Sequence, residues 1–220
     1  MSKNEKIILI SSAGCIAACI GEFVFLFVLG AHYPGYNHLK DTMSQLGTSA
    51  SPVSSIISAW WIIMGFIFIF YGTGFYKAFL QKSNKVKLAS LIIMLYGFGE
   101  GIGSGLFKAN RISEGIPISA IIHDTLGGIG VLGILALPLI MQKIIKKADN
   151  PVFYRFSGIM FVTGIFTILL FLCRYLPDND NFFTIYKGLW QRLFMLNTYL
   201  YLTVLAILTI KNKNLNSGFL

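Results

Sequence analysis

The sequence predicts an all-α integral membrane protein, a single bundle of six transmembrane helices in one domain that covers residues 1–220. The chain is 55% hydrophobic and only 12% charged, and its mean hydropathy of +0.69 is too high for a soluble domain of this length. Six long apolar runs each approach the ~20 residues that cross a bilayer. These observations exclude a soluble enzyme or a nucleic-acid-binding domain.

The six apolar runs define the predicted spans. They cover residues 7–30, 54–76, 88–107, 119–141, 153–176 and 188–210. An even number of spans places both termini on the same side of the membrane.

The distribution of Lys and Arg predicts the orientation. Twelve of the eighteen fall on the face that carries the termini: Lys3, Lys6, Lys77, Lys82, Lys85, Lys87, Lys143, Lys146, Lys147, Arg155, Lys211 and Lys213. The other six are Lys40, Lys108, Arg111, Arg174, Lys187 and Arg192. Because positively charged loops stay in the cytoplasm, we expect cytoplasmic termini. The net charge of +9 therefore reflects topology, and the expected partners are membrane lipids.

A polar segment at residues 31–52 separates the first two spans. It contains His32, His38, Asp41 and Ser44. Since the runs on both sides are long enough to cross the membrane, this segment is expected at the outer face, where polar groups meet both water and a ligand.

Ionisable residues within the spans are the second unusual feature. They are Glu22 in the first span, Glu100 in the third, His123 with Asp124 in the fourth and Arg192 in the sixth. Such groups are costly in lipid and face the bundle interior. Counting ~1.5 Å of rise per residue from the outer end of each span places them within one or two turns of the same depth.

Glycines and aromatic residues predict how these spans pack. Gly97, Gly101 and Gly105 recur at four-residue spacing, which allows close approach of another helix. We expect this third span to meet the face of the fourth that carries His123. Trp60 and Trp61 are expected in the interfacial aromatic belt, and Arg174 is expected to extend outward from the end of its span.

Three functions remain open for the polar cluster. The first is binding, transport or sensing of a small amphiphilic or lipid-like ligand in an outward-facing cavity, with Glu22, Ser44, Glu100, His123, Asp124 and Arg192 as ligand-binding residues. The second is a membrane-embedded hydrolase of a lipid ester or amide, in which zinc activates water and is held by residues drawn from His32, His38, Asp41, Glu100 and His123. The third is a structural network that fixes helix register without any ligand.

Four short motifs resemble a known family. They are PGYNHLKDTMSQLG after the first span, GLF near the end of the third, IHD near the start of the fourth and GLWQR at the start of the sixth. The pattern resembles the prokaryotic six-span membrane protein family catalogued as domain of unknown function 998. The resemblance implies a six-span fold in a prokaryotic plasma membrane and no settled activity. It also implies Pro and Asp after GLF and Asn after the later His, whereas Lys108 and Asp124 stand here.

Overall fold

The computed structural model describes residues 1–110, 115–176 and 180–216; Arg111 lies outside them. Six helices are long and apolar enough to cross a membrane: α1 Lys3–Ala31, α2 Ser54–Phe79, α3 Val86–Leu106, α4 Ile118–Ile144, α5 Pro151–Tyr175 and α6 Lys187–Asn216, whose apolar part is Lys187–Asn212. Shorter helical turns cover Met43–Gly47 and Phe182–Ile185. The described residues form no strand. The predicted fold class, an all-α membrane protein with six spanning helices, is confirmed.

The helix starts follow local sequence signals. Ser2 and Glu5 form a capping box at the start of α1, where Glu5 N–H donates to Ser2 Oγ at 3.2 Å and Ser2 N–H donates to Glu5 Oε2 at 3.0 Å. At α5, Asn150 Oδ1 accepts a hydrogen bond from Phe153 N–H at 2.9 Å, and Pro151 takes the first helical position. These caps satisfy amide groups that the helices themselves leave without acceptors.

The six helices form a closed ring in chain order. Each helix packs against its neighbour in sequence, α6 packs against both α5 and α1, and α2 also contacts α6 across the bundle. Large apolar side chains such as Ile20, Phe66 and Val162 are exposed on the outside of the ring. An apolar outer face is typical of a helix bundle whose solvent is lipid.

The two ends of the bundle differ in character. At the end that carries the chain termini, Lys77 Nζ donates to Asn4 Oδ1 at 2.9 Å and Asn212 Nδ2 donates to the Ala78 carbonyl at 2.5 Å. At the opposite end, residues 32–53 connect α1 to α2. We call these the termini end and the loop end.

Aromatic side chains of α2 fill the half of the bundle nearer the termini end. Phe68, Tyr71, Phe75 and Phe79 are each at most 2% exposed. The Tyr71 hydroxyl lies 3.1 Å from Thr209 Oγ1 of α6, which satisfies this buried polar group. These side chains are closely packed, and the cavities described below lie towards the loop end.

Helix α3 contains a π-helical segment at Gly97–Gly103, and its glycines pack against two helices. A Cβ on Gly101 would lie 2.7 Å from the Gly65 nitrogen of α2, and one on Gly97 would lie 2.6 Å from the Gly65 carbonyl oxygen. The stripe predicted to meet α4 therefore meets α2. Gly99 and Gly103 instead face Leu126 of α4. The predicted stripe is therefore intact, and only the helix that it meets differs from the prediction.

Candidate functional site

The segment 32–53 is docked on the start of α6. Leu189 N–H donates to the Leu39 carbonyl at 2.8 Å, and Met43 N–H donates to Gln191 Oε1 at 2.7 Å. A Cβ on Gly188 would lie 2.9 Å from the carbonyl carbon of Asp41, so only glycine allows this approach. The GLWQR motif at the start of α6 therefore holds the PGYNHLKDTMSQLG motif that follows α1.

Arg192 is the centre of this docking. Its Nη1 donates to the carbonyl oxygens of Asp41 and Gly188 at 2.9 and 3.0 Å, and its Nη2 donates to the Tyr36 hydroxyl at 2.6 Å and to His38 Nδ1 at 3.2 Å. Arg192 faces inward as expected, but its donors are engaged by the loop. It therefore lies beside the cavity described below and does not line it, in contrast to the sequence prediction.

The same contacts fix His38 in one state. A guanidinium only donates, so Nδ1 of His38 is the acceptor and the ring is neutral. Burial and the neighbouring Arg192 charge hold the pKa of His38 below its ordinary value of 6.5. The ring also packs on α1, where a Cβ on Gly30 would lie 2.6 Å from Nε2. His38 is therefore held between Arg192 and α1.

A cavity of about 360 Å³ lies at the loop end, between the six helices and beneath Met43 and Ser44. We call it the central cavity. Five of the six predicted ligand-binding residues line it: Glu22, Ser44, Glu100, His123 and Asp124. Its remaining walls are mainly apolar and include Met64, Phe68, Val131, Leu132, Ile168 and Phe194. The ionisable residues of α1, α3 and α4 thus do meet at one depth.

Glu22 is a satisfied carboxylate in the wall of the central cavity. It is 1% exposed, and it accepts hydrogen bonds from Trp60 Nε1 at 2.7 Å and Trp61 Nε1 at 3.1 Å. Both indole N–H groups are thus directed at the buried acid on the neighbouring helix; Trp61 is buried, and Trp60 is half-buried. Trp60 also stacks on Phe25, with ring centroids 4.1 Å apart.

Glu100 differs from Glu22 because it sits at the centre of the π-helical segment and faces open space. No hydrogen bond from the described residues reaches its carboxylate; Arg174 is the cation whose charge acts on it, and Glu22 and Asp124 are the anions. A Cβ on Gly127 of α4 would lie 2.7 Å from Oε2. The glycine therefore makes room for this carboxylate.

His123 and Asp124 close the α4 side of the central cavity. His123 Nδ1 lies 2.8 Å from the Phe107 carbonyl oxygen. A carbonyl accepts, so this nitrogen donates. The Oγ of Ser104, on the wall between Glu100 and α4, is buried and has no hydrogen-bond partner among the described residues. Acceptors and donors for a small polar group are thus concentrated beside Glu100.

The predicted zinc ligands are not brought together. Nδ1 of the exposed His32 is bonded to the Val28 carbonyl at 2.7 Å, and Asp41 Oδ2 accepts from Asn37 N–H at 2.7 Å. Among the described residues, no three His, Cys, Asp or Glu side chains are arranged to hold a metal ion. The docked loop carries His32, His38 and Asp41, whereas the helices of the bundle carry Glu100 and His123. The ligand set of the hydrolase hypothesis therefore does not form.

Two residues that the sequence did not single out as ligands line the central cavity. Gln191 lies there in place of its neighbour Arg192. Arg174 was expected to extend outward, yet it borders the cavity with Tyr175. A signal was present in the sequence, since Arg174 stands between Phe171 and Tyr175, and its guanidinium lies 4.0 and 4.6 Å from the centroids of their rings.

Comparison with known proteins gives a family and no activity. No curated protein and no solved structure matches the chain. A family model described as protein of unknown function (DUF998) matches residues 16–208, which takes in all four motifs and nearly the whole bundle. The chain is a membrane protein that belongs to this uncharacterised family.

Proposed function

We propose that this protein binds an amphiphilic, lipid-like molecule in the central cavity, either to sense it or to pass it on. The observation that carries the proposal is the Glu100 carboxylate, which faces an apolar cavity with no hydrogen bond from the described residues. A buried polar group without a partner is costly. A ligand hydroxyl or amine would supply the missing donor.

The shape of the open space favours an amphiphile over an ion. The walls around Glu100 are mostly apolar, as in sites that bury small organic ligands. Towards the termini end, the buried polar side chains among the described residues, such as Ser11, Thr209 and Asn212, are of uncharged types. A ligand that enters at the loop end therefore has no ionisable route across the bundle.

The positive-inside rule supports an orientation with the loop end outward and both termini in the cytoplasm of a plasma membrane. Cysteines introduced at exposed Ala50 and exposed Asn84 test this sidedness in intact cells, with Cys173 replaced by Ser. An impermeant maleimide is expected to label position 50 and to spare position 84. The reverse pattern would invert the topology.

Native mass spectrometry of the purified protein tests the binding proposal. Wild type is expected to retain a co-purified lipid-like mass. Glu100→Gln is expected to lose at least tenfold of that occupancy, because an amide replaces the charged acceptor. Glu5→Gln is the matched control, since glutamine preserves the capping box. Equal occupancy in wild type and Glu100→Gln would refute the proposal, as would a wild type without ligand in several detergents and lipid mixtures.

The hydrolase hypothesis has no comparable support, because its metal ligands lie apart. The structural hypothesis accounts for Glu22 and its two indoles. It does not account for Glu100, whose carboxylate fixes no neighbouring helix by a hydrogen bond within the described chain.

A further inference from the structure

A second cavity lies beside the central one. It has a volume of about 650 Å³, and we call it the vestibule. Side chains that offer hydrogen bonds line it: Tyr33, Thr42, Gln45, Thr48, Ser49 and Asn110. Arg174 and Tyr175 border both the vestibule and the central cavity. The two spaces therefore share a wall.

Two cations face the vestibule and a third cavity next to it. This side pocket, of about 510 Å³, is lined by Lys40, Asp41, Arg174, Thr184, Ile185 and Lys187. Arg174 borders all three spaces, and Lys187 borders the two outer ones. Positive charge is thus concentrated where the three cavities meet.

Among the described residues, the guanidinium of Arg174 is held by aromatic rings. It packs on Phe171 and Tyr175, its Nη2 donates to the Tyr175 hydroxyl at 2.5 Å, and its buried Nε has no hydrogen-bond partner within the described part of the chain. Ring contacts position an arginine without neutralising it. Donors of this side chain remain for an anion, and a planar guanidinium suits a phosphate or carboxylate.

Lys187 is likewise not neutralised within the described chain. Neither its ammonium group nor that of Lys40 forms an ion pair with a described residue. Asp41 also borders the side pocket, where its Oδ2 accepts from Asn37 N–H. Arg174 and Lys187 are half-buried cations, and without an ion pair among the described residues they attract an anion more strongly than the same charges in water.

We propose that the vestibule binds the phosphate of the ligand's headgroup through Arg174 and Lys187, while the adjoining hydroxyl or amine reaches Glu100. The inference rests on the proposed function and narrows it to a phospholipid whose headgroup carries a hydrogen-bond donor. Arg174 joins the two subsites because it borders both spaces and its charge acts on Glu100. The apolar part of the ligand then contacts the walls of the central cavity.

Lipid competition in nonionic detergent tests this assignment. The probes are phosphatidylglycerol and diacylglycerol with identical acyl chains. The two lipids therefore differ only in the phosphate-containing headgroup. Wild type is expected to bind phosphatidylglycerol at least tenfold more tightly. Arg174→Gln is expected to reduce this preference to less than threefold and to leave diacylglycerol binding unchanged. Arg174→Lys keeps the charge, and its preference for phosphatidylglycerol is expected to lie between those of wild type and Arg174→Gln.

Arg155→Gln is the matched control, because it removes the same charge from an exposed site at the termini end. It is expected to preserve the preference. Thermal unfolding and gel filtration of each variant show that it is folded, and Lys187→Gln provides a second test of the same subsite if Arg174→Gln aggregates. Inorganic phosphate at millimolar concentration is the third probe. Its competition with phosphatidylglycerol in wild type and not in Arg174→Gln would support the anion subsite and identify free phosphate as a sufficient occupant.

Failure of the anion subsite and failure of the proposed function give different results. Equal binding of both lipids by wild type would overturn the anion subsite and keep the central cavity as a lipid site. Binding of neither lipid would overturn the proposed function, and the subsite with it. A preference that survives in both Arg174→Gln and Lys187→Gln would show that other residues read the headgroup.

Discussion

Glu22 and Glu100 are two carboxylates in the walls of one cavity, and they lie in opposite surroundings. Glu22 belongs to the side formed by α1 and α2, where two indole N–H groups and close aromatic packing surround it. Glu100 belongs to the side formed by α3 and α4, where glycines surround it and no described residue donates to it. A buried acid that its own fold satisfies is part of the scaffold, whereas one that the fold leaves open is available to a ligand.

The largest expected effect of this difference is on stability. Glu22→Ala removes the acceptor of two buried indole donors, so we expect it to reduce the free energy of unfolding by about 2–4 kcal/mol. Glu100→Ala is expected to change it by less than ~1 kcal/mol in detergent without lipid, because it strands no donor. Thermal denaturation of both variants in the same detergent measures the contrast. Equal losses would remove the distinction between the two acids.

A smaller effect is expected from two adjacent glycines in the wall of α4. Gly127→Ala would bring Cβ to 2.7 Å from Glu100 Oε2, whereas a Cβ at Gly128 meets nothing within 4 Å. We expect Gly127→Ala to displace the carboxylate and weaken ligand binding about tenfold, the equivalent of ~1.4 kcal/mol. Gly128→Ala, which also lines the cavity, is the control and is expected to bind normally. The opposite order, measured by competition binding, would place the ligand away from Glu100.

The smallest effect is expected at the docked loop and depends on pH. Because the folded pKa of His38 lies below 6.5, the unfolded or detached loop binds more protons at mildly acidic pH. The stabilising contribution of His38 is therefore complete above pH 6.5 and decreases as the pH falls from 6.5 through the folded pKa. Arg192 and Tyr36 contact the ring, and protonation places a second cation beside Arg192.

Hydrogen exchange of the amides of Leu39 and Met43 is expected to accelerate between pH 7 and pH 5 beyond its intrinsic pH dependence. His38→Asn is expected to lose that additional dependence. His32→Asn, which changes an exposed histidine bonded only to the Val28 carbonyl among the described contacts, is the control and is expected to retain it. Loss of the pH response in His32→Asn and not in His38→Asn would show that His32, and not His38, causes the response.

The fold could be predicted because its physical cause is local. Long apolar runs must be helices in lipid, since each backbone amide needs a partner within its own segment. Depth was also predictable, because helical rise is constant, and counting residues along each span is enough to bring Glu22, Glu100, His123 and Asp124 to one level. Rotation about each helix axis was not predictable in this way. It decides which side chain faces the cavity and which faces the loop.

Three residues show what rotation and loop conformation add. Arg192 lies at the predicted depth but faces the loop, where backbone carbonyls of residues far apart in sequence converge on it. Gln191 lines the central cavity, where Arg192 was expected. Trp61 turns towards Glu22 of α1 and donates to its carboxylate. None of these contacts leaves a periodic signal in the sequence.

The most direct measurement of the central claim is an experimental structure of the protein in lipid nanodiscs at a resolution that shows side chains. The account predicts elongated density within the central cavity, with a polar atom about 3 Å from the Glu100 carboxylate. Glu22 is expected to remain bonded to Trp60 and Trp61 in the same map. A cavity that contains only water, or in which Arg174 closes onto Glu100 as an ion pair and no lipid-like density remains, would contradict the account.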